Sequence, residues 1–214
     1  MHEDCLRPTP LIDSDHPRIV EFARDAAAGA TDGVDVACRV YLAVRDGLRY
    51  DPYGIELTED GMRASAVLAS GRGWCVAKAG VLAACSRSLG IPARLGFADV
   101  RNHLATERLL AQMGTDIFYW HGFTELFLEG RWVKATPAFN LQMCERFGVL
   151  PLEFNGRDDS VFHPFDATGR RHMEYVRDRG SRDDMPLEEI RRGLAECYPA
   201  MAGGVPRGDF DSEK

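Results

Sequence analysis

Apolar residues recur at helical spacing twice before residue 50. In PRIVEFARDAAAG, Ile19, Val20 and Phe22 share a face with Ala23 and Ala26, which predicts a helix ended by Gly29. In VDVACRVYLAVRDGL, Val36, Val40, Ala43, Val44 and Leu48 step by three and four, which predicts a second, core-facing helix. RYDPYG reads as extended chain with a turn, because a proline pushes the preceding residue out of the helical region. Residues 64–70, ASAVLAS, form a short helix that runs into glycines. The stretch CVAKAGVLAACSRSL is alanine-rich and free of proline, so a helix is expected from Cys75 to Ser88. Its small residues Ala77, Ala79, Gly80, Ala83 and Ala84 permit close neighbours, as in a buried central helix. Gly90 ends it, and IPARLGF turns into a strand.

The period then changes from helical to two. In IFYWHGFTELFLEGRWVKAT, His121, Phe123, Glu125 and Phe127 alternate with Gly122, Thr124, Leu126 and Leu128. A Glu129-Gly130 turn makes this a hairpin in which Leu128 pairs with Arg131. Continuing the register, Glu125 faces Lys134 as a cross-strand pair, and Phe123 faces Thr136. Beyond Pro137 the pattern loosens, and the mixed-charge run RRHMEYVRDRGSRDD reads as a solvated face. PLEEIRRGLAECY restores a helix at residues 186–198. The expected organisation is an N-terminal arm at 1–15, a core at 16–140, a C-terminal extension packed on it at 141–202, and a disordered tail at 203–214.

Composition narrows the function. The 214 residues are 45% hydrophobic and 28% charged, enough to bury a substantial core. A net charge of -7 argues against nucleic-acid binding. No apolar run reaches the roughly 20 residues that span a bilayer, and the N-terminus has no signal-peptide pattern, so no membrane partner is expected. Six cysteines without a CxxC pair suggest reduced thiols and a cytoplasmic location. The spacing of His163, Asp166, His172 and Glu174 matches no tight metal motif, and no metal or cofactor is expected.

GRGWC is the chemical focus. A thiol at a helix start lies among unpaired backbone N–H groups, which favour the thiolate and can later receive an oxyanion. Cys75 is therefore the candidate nucleophile, expected to alkylate faster than the other thiols at pH 6, with Lys78 as a nearby cation or a solvent-facing side chain. His121 is the candidate proton acceptor. Thr136, diagonal to His121 on the same face, is placed to hold the imidazole tautomer. Trp74, Trp120 and Phe123 are candidate walls of a substrate cleft. The plainer readings are a buried structural cysteine and a satisfied core histidine.

GRGWCVAKAGVLAACSRSLGIPARLGF followed by WHGFTELFLEGRWVKATPAF resembles the transglutaminase-like, papain-related superfamily of cysteine enzymes, in its bacterial single-domain form. The similarity covers roughly residues 34–140. It implies an α+β fold of helices packed on an antiparallel sheet, with the catalytic cysteine at the N-terminus of the central helix. It carries Cys75 over as nucleophile and His121 as its partner. The family's Asp before Pro is Thr136 here, so the third member is Thr136 itself, Asn140 or Asp166. The residue 104–113 insertion would lie at the cleft mouth, as a lid or a packing helix. The expected activity is acyl transfer from a peptide, amide or ester to water or an amine. The competing expectation is a domain attenuated by the loss of Asp that binds peptides or proteins. The oligomeric state is left open.

Overall fold

The computed structural model describes residues 2–103, 105–162, 168–169, 172–199 and 210. Among the described residues are eight helices and six strands. The expected helices form as α1 (Pro17–Ala26), α2 (Gly33–Gly47) and α4 (Ala64–Ser70), with a short α3 (Glu59–Met62) that the sequence pattern did not predict. His16 caps α1 through its side chain, and Pro17 opens the first turn. Gly71 adopts a left-handed φ of 68° and ends α4, which lets the chain turn into the segment before Cys75.

The central helix α5 (Cys75–Ser88) is buried on all sides, from Cys75 through Arg87. A helix without a polar face belongs inside the protein. It packs against β3 (Ala93–Asn102) and β4 (Ile117–Leu128) on one side and against α1, α2 and α4 on the other. With β5 (Arg131–Ala135) and β6 (Met173–Arg182), these strands form a wholly antiparallel sheet of order β5-β4-β3-β6. The separate strands β1 (Arg49–Tyr50) and β2 (Arg72–Gly73) pair in parallel just before α5. The hairpin keeps the expected register: Leu128 opposes Arg131, Glu125 opposes Lys134, and Thr124 opposes Ala135.

Several readings change. Glu125 faces Lys134, but its ion pair is with Arg94, and it also accepts from the Ser181 hydroxyl. Lys134 instead lies 5.1 Å above the Phe123 ring. The mixed-charge run around residue 175 is the edge strand β6, where charged side chains face water and discourage edge-to-edge pairing. A further helix, α7 (Leu141–Phe147), follows the hairpin, and α8 (Leu187–Cys197) occupies the predicted C-terminal helix.

The N-terminal arm is fastened to the core. Ile12 is fully buried, the Ala93 N–H donates to the Cys5 carbonyl, and the buried Arg87 donates to the carbonyls of Arg7, Ala93 and Asp183. Of the tail at 203–214, only Phe210 is described; it is buried against Tyr50, Tyr53 and Phe147.

Candidate active site

The site begins with a close approach. A Cβ on Gly122 would lie 2.8 Å from the Val76 Cα, so only glycine lets β4 come this near the start of α5. The contact sets the Cys75 sulfur against β4. The backbone N–H groups of Cys75, Val76 and Gly122 all interact favourably with its anionic form. A helix start therefore supplies two donors, and the residue after His121 supplies a third.

These donors do not make Cys75 a resting thiolate. Burial outweighs them and raises the thiol to about 11. The expectation of a stabilised thiolate is corrected: the backbone donors are present, but burial of the sulfur outweighs them. Cys75 is only 7% exposed. Burial acts in the matching direction on His121, lowering its imidazole to about 4. At neutral pH both groups are uncharged.

His121 and Thr136 line one cavity, together with Phe139, Leu152, Phe162 and His172. Among the described residues, neither His121 Nε2 nor Thr136 Oγ1 has a hydrogen-bond partner. The structure thus brings His121 and Thr136 to a common wall without bonding them directly. Thr136 is anchored through its backbone, its N–H donating to the Ser160 carbonyl and its own carbonyl lying 3.1 Å from the Tyr41 hydroxyl.

The other candidates separate. Asn140 accepts the Tyr50 N–H through its side-chain carbonyl at 3.0 Å, which ties the start of α7 to β1, and it is not in the wall shared by His121 and Thr136. Asp166 and His163 lie outside the described residues. Trp74 is buried directly before Cys75. Trp120 is buried edge-on to Phe97. Phe123 is buried over Gly96 on the sheet face away from α5, packed with Ala98 and Val100, so it is interior packing rather than cleft wall. Glu174 pairs with Arg101.

Lys78 does not face solvent. Its side chain is fully buried, and Nζ donates to the carbonyls of Arg45, Leu48 and Ala138 at 2.6 to 2.8 Å. Three acceptors match the three N–H groups of an ammonium, although burial lowers its pKa to about 7. The lysine ties the end of α2 and the chain beyond Thr136 to the central helix.

Sequence reasoning weighed His172 only as a metal ligand and passed over Tyr50 and Tyr198. His172 stacks on Phe139 in the cavity wall. The buried Tyr50 and Tyr198 phenols both lie near Cys75, where a thiolate would oppose the ionisation of either. The insertion helix α6 (Glu107–Met113) walls a second recess with Tyr50, Phe139 and Phe210. Nothing local marked these residues as neighbours of Cys75 and His121, because each comes from a distant part of the chain.

A helix-and-antiparallel-sheet fold, with a cysteine opening its buried central helix against a histidine-bearing strand, is that of the transglutaminase-like thiol enzymes. Residues 20–137 match the model of the transglutaminase-like superfamily, and the chain belongs to that superfamily. Among solved structures, it is similar to a candidate cysteine protease from Cytophaga hutchinsonii at 14% identity and a TM-score of 0.49, covering 83% of this chain and 53% of the other. It is also similar to a candidate protease from Parabacteroides distasonis at 17% identity and a TM-score of 0.39, covering 59% of this chain and 25% of the other. This chain therefore spans about half and a quarter of their lengths. No curated protein matches it. Among the described residues, no helix is long and apolar enough to cross a membrane.

Proposed function

We propose that the protein catalyses thiol-dependent acyl transfer from a peptide, amide or ester, with Cys75 as nucleophile and His121 as its proton acceptor. The carrying observation is the convergence on residues 121 and 122: Gly122 N–H faces the Cys75 sulfur, while the adjacent His121 shares a cavity wall with Thr136.

The resting pair is neutral, so the reaction starts from thiol and imidazole rather than from an ion pair. His121 takes the S–H proton as the sulfur bonds to the substrate carbonyl carbon. The carbonyl oxygen becomes an oxyanion, which backbone N–H groups near the sulfur receive. Collapse breaks the bond to the amine or alcohol, which leaves with the proton from His121. The thioester then passes its acyl group to water or to an amine. The Thr136 hydroxyl, unbonded at rest, is the group that would receive the imidazole N–H as the ring charges, fixing the tautomer without the charge an aspartate would supply.

Treatment with p-nitrophenyl acetate tests this reading. Mass spectrometry should find an acetyl group on Cys75, and His121→Ala should slow its formation on the order of a hundredfold. Thr136→Val should slow it less, and Thr136→Asp should speed it. Acetylation spread over several thiols and indifferent to His121→Ala would overturn the proposal in favour of a peptide-binding domain.

A further inference from the structure

Directly before His121, the chain departs from regular β-structure. Trp120 has a φ of 58°, in the left-handed region that a bulky side chain rarely enters. The pairing of β3 with β4 shifts here: Ala98 opposes His121 and Val100 opposes Phe118, so Asp99 alone meets both Tyr119 and Trp120. This is a β-bulge, a device that re-aims the side chains beside it.

Four residues hold the bulge, and three of them lie beyond the family-matched segment. The buried Asp99 carboxylate accepts the Trp120 N–H at 3.2 Å. Arg179, itself the extra residue of a bulge in β6, pairs with Asp99 and places its guanidinium 4.7 Å above the Trp120 ring. Gly193 of α8 lies under the indole so closely that a Cβ there would stand 2.0 Å from Nε1. The Tyr198 hydroxyl accepts the Tyr119 N–H at 2.7 Å and donates to the Ile117 carbonyl at 3.0 Å.

We infer that Asp99, Arg179 and Tyr198 are positioning residues that hold the Tyr119–Trp120 bulge and thereby aim His121, so that the C-terminal extension completes the site. From His121 onward β4 keeps an unbroken register with β3, so the bulge sets the twist and path of the backbone that enters residue 121, through the left-handed Trp120 directly before it. The bulge is costly for a tryptophan, and the clamp is what maintains it. The inference rests on the proposed role of His121 for its consequence, though not for its geometry.

The test uses the full-length protein carrying Asp99→Ala, Asp99→Asn or Tyr198→Phe. The His121 imidazole signal in NMR spectra is assigned by its loss in His121→Gln. Asp99→Ala and Tyr198→Phe should each move that signal and lower kcat with little change in KM, Asp99→Ala on the order of a hundredfold. Asp99→Asn retains an acceptor for the Trp120 N–H and should restore most of both. Tyr198→Phe removes a single hydroxyl and serves if Asp99→Ala does not fold. An unmoved His121 signal in folded Tyr198→Phe, and in Asp99→Ala where that variant folds, alongside acyl transfer that Cys75→Ala abolishes, would overturn the clamp and leave the proposed reaction standing. A moved signal in a wild-type background without acyl transfer would support the clamp and end the proposed reaction.

Discussion

Gly122 meets Val76 across the junction of β4 and α5 with no room for a methyl group: a Cβ would stand 2.8 Å from a backbone atom. One hydrogen in place of a side chain lets the histidine strand and the cysteine helix touch. The close approach also brings the Gly122 N–H to the Cys75 sulfur.

Gly122→Ala should therefore force the helix start away from the strand. Overpacking of this kind costs about 1–3 kcal/mol. Urea denaturation should show that loss, and Cys75 acylation should fall by more than stability explains, because the sulfur loses its third donor.

Cys75 should be a slow thiol in the resting protein. With its pKa raised to about 11 by burial, thiolate is scarce at neutral pH. Iodoacetamide should label it more slowly than an unstructured cysteine at pH 6 to 8, with a rate still rising above pH 9. A labelling plateau reached below pH 7 would mean that the backbone donors outweigh burial.

His121 makes stability depend on acid. Burial lowers its pKa from 6.5 to about 4, so between these values the unfolded chain binds a proton that the folded chain refuses. Its contribution is complete above pH 6.5 and is lost as pH falls through about 4. The loss is about 3 kcal/mol. Urea unfolding of wild type and His121→Gln at pH 7, 5 and 4 checks this. The difference between the two proteins should shift against wild type on acidification, and a constant difference would refute the assignment.

Lys78→Met should be strongly destabilising despite its similar length. It leaves the carbonyls of Arg45, Leu48 and Ala138 without their shared donor inside the protein. A loss on the order of 3 kcal/mol is expected. Thermal unfolding measures the loss, and Lys78→Arg should not restore the wild type, because a planar fork cannot reach three convergent acceptors.

Much of the framework was legible in the chain because its signals are local. Helical periodicity placed α1 and α2, alanine content and the absence of proline placed α5, and alternation around Glu129-Gly130 fixed the hairpin register. Those patterns also singled out Cys75 at a helix start and put His121 and Thr136 on one strand face. The edge strand β6 escaped because its exposed charges conceal a strand's alternation.

By itself, the sequence determined which residues could be nucleophile, base and orienting group, since spacing and side-chain chemistry suffice for that. Only the tertiary structure decided their state. Burial depends on every neighbour at once, so it alone turned an expected thiolate into a thiol and drew Lys78 inside. The bulge at Trp120 likewise needs Asp99, Arg179 and Tyr198 together. Three residues so far apart in the chain leave no periodic trace, because what unites them is contact in space.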